Sequence, residues 1–286
     1  MRKSIWLHLA TIAFISSSIP FSCFSQTDQP FLHDRGNGMA TSQNGVYVEK
    51  HDFVVAPFYQ YSYSKDKDYV PSEFGFNSDE EFTGKSIDYD GILYVGYGIN
   101  DWLMIEGRGG IVGARQYRNK ADDSGFPEMI SEHAVGDVEA QVRWRYGKET
   151  EKRPEVYSYL DFVFPFDKEK TIIGTQNLEV KFGTGVIKGF SWGTISARAS
   201  LQYIEGENVV ETGIYAIEYL KRINNRLRIY VGIEGEQDDI GIAGDLQVFL
   251  APWIFTRISN SFGLTPKATD YAVSFGVVGY LNELYQ

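Results

Sequence analysis

The stretch from Ala134 to Lys148, AVGDVEAQVRWRYGK, decides the fold. From Asp137 to Tyr146 its residues alternate without a break. Asp137, Glu139, Gln141, Arg143 and Arg145 point one way, while Val138, Ala140, Val142, Trp144 and Tyr146 point the other. A period of two is that of a β-strand, whose successive side chains leave opposite faces. The polar face mixes both signs of charge, and the apolar face ends in two amphipathic aromatics. That combination suits a wall with lipid outside, charged groups packed inside, and Trp144 and Tyr146 at the membrane interface. A wall of this kind requires the pattern to recur along the chain.

It recurs from His51 onward. Strands are predicted near 51–64, 85–99, 102–117, around the opening stretch, and near 154–166, 177–189, 192–204, 209–221 and 226–236. Three more are predicted near 245–257, 261–266 and 270–281. Leu160, Phe162 and Phe164 oppose Tyr157, Tyr159 and Asp161, and Leu227, Ile229, Val231 and Ile233 oppose Arg228, Tyr230, Glu234 and Glu236. The fold class expected is all-β, a transmembrane antiparallel up-and-down barrel of about twelve strands, an even number as single-chain barrels of bacteria require. Connections 65–84, 118–133, 167–176, 205–208, 237–244 and 267–269 alternate with turns near 100, 148–153, 190, 222–225 and 258–260. Long loops on one side and short turns on the other place both termini in the periplasm.

Composition agrees. Of 286 residues, 29 are Gly, 19 Phe, 19 Tyr and 5 Trp, a Gly and aromatic richness that marks barrels. Beyond the N-terminus no apolar run reaches the roughly eighteen residues of a membrane helix. Arg2 and Lys3 followed by the apolar Ile5–Ile19 read as a secretory signal, with cleavage after Ser25. Cys23, the single cysteine, leaves with it, so no disulfide is expected. Cleavage removes two of 27 basic residues and none of 38 acidic ones, leaving a net charge of −13. Nucleic acid is a poor partner for such a chain, because its binding needs a basic footprint. The expected organisation is a signal peptide over 1–25, a flexible, loosely packed segment over 26–50, the outer-membrane barrel over 51–281 and a tail over 282–286.

Three pieces carry a family resemblance: YVGYGINDWLMIEGRGG (94–110), GDVEAQVRWRY (136–146) and LAPWIFTRISNSFGLTPKATDYAVSFGVVGYL (250–281). They resemble the outer-membrane barrel family named for the MetA pathway of phenol degradation, a set of channel-like, transporter-type barrels. The resemblance covers most of 51–281 and implies passage of small solutes, hydrophobic or aromatic ones among them. It brings no catalytic residue.

The predicted lumen supplies the candidate channel-lining residues: Glu106, Arg108, Glu139, Arg143, Arg145, Asp161, Glu179, Lys181, Arg198, Arg228 and Glu234. Asp88, Asp90, Asp137 and Glu218 are predicted to face inward beside them. One reading is a polar path in which Arg143, Arg145 and Arg198 form a ladder for an anionic solute. The other, preferred, is an ion-pair network that fills a narrow barrel, since charges removed from water must pair. Trp144, Tyr146 and Tyr219 are the candidate interface aromatics. No cofactor or metal spacing is present, and the acidic loops lack a calcium-loop pattern. An enzyme acting on envelope lipid would need a base, for which His133 near Ser131 is the one candidate. A structural or adhesive barrel with a sealed lumen is the third alternative. Expected partners are outer-membrane lipid, the barrel-assembly machinery during insertion and a small-molecule solute, for a protein acting as a monomer.

Overall fold

A computed structural model of the chain describes residues 29–166, 171–206 and 208–281. The signal reading over 1–25 and the tail over 282–286 lie outside them. Two short strands come first, β1 (Met39–Ala40) and β2 (Tyr47–Val48). Then follow β3 (Phe53–Tyr69), β4 (Phe82–Gly98), β5 (Leu103–Tyr117), β6 (Met129–Val135), β7 (Val138–Gly147) and β8 (Glu155–Phe164). The last seven are β9 (Glu179–Phe190), β10 (Gly193–Ile204), β11 (Val209–Asn224), β12 (Leu227–Glu236), β13 (Asp239–Ala251), β14 (Ile254–Gly263) and β15 (Tyr271–Tyr280).

From β3 to β15 consecutive strands pair antiparallel, except that β6 and β7 both pair with β5, and β15 returns to pair with β3. The wall therefore closes on itself around its circumference, the condition for a sheet in hydrocarbon, and among the described residues only β6, at the loop end, is paired on one side alone. The elements β6 and β7 both pair with β5 and form one stave, so the barrel has twelve. Their break is a bulge: Arg108 opposes Glu139 and Ile111 opposes Val135, so three residues face two. The opening stretch is thus interrupted where its alternation looks unbroken. Asp137, expected to line the lumen, sits in this bulge, and its carboxylate accepts the N–H groups of Phe166 (3.2 Å) and Thr175 (2.5 Å).

Most strand bounds follow the sequence reading to within a few residues, although β3 runs on to Tyr69 and β6 takes Met129–His133 out of the expected connection 118–133; one region differs outright. The expected strand at 245–257 and turn at 258–260 are replaced by β13, a turn at Pro252-Trp253, and β14. Ser259, Asn260 and Ser261 resemble turn residues, yet all three are paired to β13 and β15. Ser259 and Ser261 share the inward face of Arg257, where small polar side chains are at home and turn-type composition loses its meaning, whereas Pro252 cannot donate to a ladder and marks the real turn.

Outward positions are apolar through the middle of the wall: Leu93, Ile105, Ile111, Phe182, Ile217, Val231 and Phe275 are all exposed. An apolar belt this continuous is a lipid-facing surface. Aromatics rim it at both ends. At the end of the short turns stand Trp144 with Tyr146, and a stack of Phe190, Trp192 and Tyr219. At the loop end, Tyr271 packs on Tyr61 and Tyr63. The ten steps from Phe53 to Tyr63 rise about 33 Å along the strand, or about 25 Å along the normal after a tilt near 40°, the height of a membrane barrel's apolar band.

Loops 70–81 and 118–128 pack together above the wall, with Phe74 and Phe76 against Phe126 and Tyr69 donating to Asp122 at 2.8 Å. Burial works against charge on Asp122, but hydrogen bonds from Ser124 and Tyr69, with Arg118 nearby, hold its carboxyl below the usual carboxylate range.

Two outcomes follow from this architecture. Placing Arg at Ile217, midway up the lipid face, should cost about 2–4 kcal/mol, read by urea unfolding from liposomes; an unchanged midpoint would mean that the face does not meet lipid. Because the Asp122 carboxyl is lowered, its stabilisation of the loop pair is present at neutral pH and lost as pH falls through the lowered value. Hydrogen exchange in 118–128 should therefore speed up, relative to strand amides, only on acidification below the ordinary carboxylate range.

Candidate functional site

The segment 29–50 is seated inside the barrel, which corrects the expectation of a loosely packed lead-in. Its centre is a small hairpin, Met39 opposite Val48 and Ala40 opposite Tyr47. Thr41 closes the turn, its hydroxyl donating to the carbonyls of Gln43 and Val46 (both 3.1 Å), and Gly45 supplies the left-handed residue at φ +66°. Met39, Val46 and Val48 pack against Val54, Tyr94, Met104, Phe249, Phe255 and Val278. Tyr47 packs among Tyr157, Tyr159, Ile187, Leu220 and Tyr230 on the facing wall. These wall residues all lie in the turn-end half. There the lumen is apolar enough to hold a plug, and bare glycines make room: a Cβ at Gly185 would stand 2.4 Å from the Tyr157 ring.

Charge fixes the plug in register. Arg35 donates to Glu149 and to Glu155 (3.0 Å each), and Arg145 meets the same Glu155 at 3.0 Å. All four side chains are almost wholly enclosed. Arg143 donates to the carbonyl of Ala40 (2.6 Å), Gln247 to that of Asn44 (2.8 Å), and the N–H of Ser42 points at Glu106 (3.2 Å). The wall thus satisfies the backbone groups of a hairpin that is otherwise too short to satisfy its own.

Above the hairpin tip lies a cavity of about 460 Å3, floored by Ser42, Gln43 and Asn44 and rising to Ala268 and Thr269 in the loop 264–270. Of the predicted lining residues, Glu106, Arg108, Glu139, Arg143, Asp161, Arg198 and Glu234 border it. Arg145 and Arg228 do not; they lie lower, Arg145 in the latch and Arg228 bonded to Gln247 (2.6 Å) over the Phe249 and Phe255 rings. Glu179 and Lys181 are near the loop end, 3.7 Å apart, with Lys181 also 3.0 Å from Glu236.

The wall charges are largely spent on one another. Arg108 grips Glu139 with two bonds (2.5 and 2.7 Å). Arg143 stands 3.5 Å from Glu106, which also accepts from Tyr94 (2.5 Å). Arg198 lies 2.7 Å from Glu218 and 3.5 Å from Glu234, and Arg257 lies 2.8 Å from Asp245. Arg143, Arg145 and Arg198 are therefore each met by a carboxylate rather than forming an open ladder. Asp161 differs. It is 7% exposed, borders the cavity, and makes no hydrogen bond or ion pair among the described residues.

The plug escaped the sequence reading, although one signal for it was present: Asn44-Gly45 flanked by hydrophobic residues is a strong hairpin cue. His133 and Ser131 both stand on the outward side of β6, where no hydrogen bond joins them among the described residues. Trp144, Tyr146 and Tyr219 all sit at the turn end, with Tyr219 donating to the carbonyl of Trp192 at 2.7 Å.

No family model matches the chain. No curated protein matches it either. Among solved structures, an outer membrane channel from Pseudomonas putida F1 superposes with a TM-score of 0.60 at 12% identity, over 85% of this chain and 99% of that one. The translocator domain of the autotransporter NalP from Neisseria meningitidis gives 0.44 at 9%, over 83% and 90%. The Ralstonia pickettii toluene transporter TbuX gives 0.42 at 8%, over 89% and 98%. At these identities the first likeness is one of fold: a closed barrel of the outer-membrane type.

Removing Arg35 would leave Glu149 and Glu155 enclosed without their shared cation. Glu149 keeps Lys188 (2.8 Å) and Glu155 keeps Arg145 (3.0 Å), so Arg35→Ala should cost about 1–3 kcal/mol and expose 29–50 to protease while the barrel still migrates as a folded species on unheated gels. Unchanged protease resistance would show that apolar packing alone seats the plug.

Proposed function

We propose that the protein is a plugged outer-membrane channel that admits a small polar solute from the loop side. The single observation that carries this reading is the cavity of about 460 Å3 that rises to the loops and is floored by a separate piece of chain. A floor made of hairpin can move without opening the wall, which a floor made of strand cannot. The longer connections, 70–81, 118–128 and 165–178, are taken to face outward and the short turns and both barrel termini the periplasm.

The lining argues for a polar solute over the hydrophobic or aromatic one that the family resemblance implies. Carboxylates at Glu106, Glu139, Asp161, Glu234, Glu236 and Asp239 face four arginines, at 108, 143, 198 and 257. Two of those arginines are also met from behind, by Glu218 and Asp245. The wall therefore carries a carboxylate surplus, and a surplus of one sign in a narrow low-dielectric path selects the opposite ion. Asp161, which borders the space and has no ion pair among the described residues, is the group best placed to meet a cationic centre.

Planar-bilayer recording of the refolded protein tests this. The wild type should be closed for most of the time, with brief cation-preferring steps. Arg35→Ala should raise the open fraction several-fold by loosening the plug, and Asp161→Asn should reduce the cation preference without changing the open fraction. A folded Arg35→Ala barrel that stays silent would favour a sealed structural lumen.

A further inference from the structure

The lipid-facing side carries one feature that passage of a solute does not use. In the loop half of the wall, the outward strand positions of β7 to β15 bear no charged side chain. On β4 and β5, by contrast, Lys85 and Arg115 both point outward; Arg115 is paired with Ile87, which puts Lys85 one diagonal step away from it. The Lys85 ammonium lies over the rings of Tyr117 (4.6 Å) and Tyr63 (5.9 Å), and the Arg115 guanidinium over Tyr89 (5.7 Å). Neither forms an ion pair with a carboxylate among the described residues. His133 continues the line on β6, one diagonal step from Arg115 across the Gly113–His133 and Arg115–Ser131 pairs. Diagonal neighbours in a sheet are about 7–8 Å apart, so the three form an oblique stripe across adjacent strands.

Two like charges this close, at the edge of hydrocarbon, disfavour one another and gain little from water. Many other cations of this acidic chain meet a carboxylate, Arg35, Arg108, Arg143, Arg198 and Arg257 among them. Lys85 and Arg115 have only aromatic faces, which hold a cation in place but leave its donors free. Their depth is that of the Tyr63–Tyr271 girdle, the level of lipid headgroups at the loop end. Basic side chains at that depth attract anionic headgroups, and an arginine beside a lysine suits a phosphate, which takes bonds from both.

We infer that Lys85 and Arg115, with His133 at the margin, form a binding site for a phosphate group of an outer-leaflet lipid. The inference uses the orientation proposed above but not the passage of any solute. The site would anchor one lipid against β4–β6 and fix the barrel's height in the leaflet on that side, beside the bulge that interrupts the wall.

The test is native mass spectrometry of the folded full barrel with two probes, bisphosphorylated lipid A and the same lipid stripped of its phosphates. The phosphorylated form should be retained more strongly, by roughly 30-fold if each cation contributes as surface cations usually do. The pair Lys85→Gln with Arg115→Gln should lower its retention to that of the stripped lipid. The pair Lys152→Gln with Arg153→Gln, an equal change of charge at the turn end, should leave it unchanged. Equal retention of the two lipids by the wild type would overturn the assignment even if the double variant fails to fold. So would wild-type retention by a folded Lys85→Gln, Arg115→Gln barrel. Binding of inorganic phosphate with no preference between the lipids would mark a free-anion site and reject the lipid.

Discussion

A wall standing in hydrocarbon has no water to complete its backbone hydrogen bonds, and most features of this molecule descend from that. The pairing of β15 with β3 closes the ring, leaving among the described strands only the outer edge of β6 unpaired, at the loop end. Closure then divides each strand's side chains between lipid and lumen, so apolar and polar residues must alternate. The lumen, cut off from bulk water over much of its length, receives every charge that the outer face cannot accept.

Twelve staves enclose more space than their own side chains fill. The two halves of the lumen meet this differently. In the loop half, charges pair across the wall and leave a water-accessible cavity. In the turn half, apolar residues such as Met104, Phe249, Phe255 and Ile187 face inward, which would be unfavourable around water; the hairpin 39–48 covers them. The buried cluster of Arg35, Arg145, Glu149 and Glu155 joins the two pieces. A charge cluster of this kind contributes more to register than to net stability, because its desolvation offsets most of its attraction. That balance suits a plug that must be seated in one place and also be able to leave it.

The alternation of Val138 to Tyr146 identified the barrel because a period of two survives any detail of register. It missed the bulge at Gly136-Asp137, since adding one residue to a strand changes its facing without changing its composition. Around 239–263 the same reasoning misplaced a turn, because Ser259 and Ser261 are as compatible with a lumen wall as with a loop. The inward set, from Glu106 and Arg108 to Glu234, follows from local parity alone. Which of those residues border open space and which lie under the plug does not, and so Arg145 and Arg228 are grouped by sequence with residues from which the structure separates them.

By itself, then, the sequence determined the class of fold, the lipid and lumen faces and the aromatic girdles, because each depends on neighbours two residues apart. The tertiary structure decided the rest. That residues 29–50 occupy the lumen, that Arg143 and Arg198 meet carboxylates while Asp161 has no ion pair among the described residues, and that Lys85 and Arg115 share a stripe all depend on contacts between distant strands. Such contacts are set by closure and stagger of the whole barrel, and no local period encodes them.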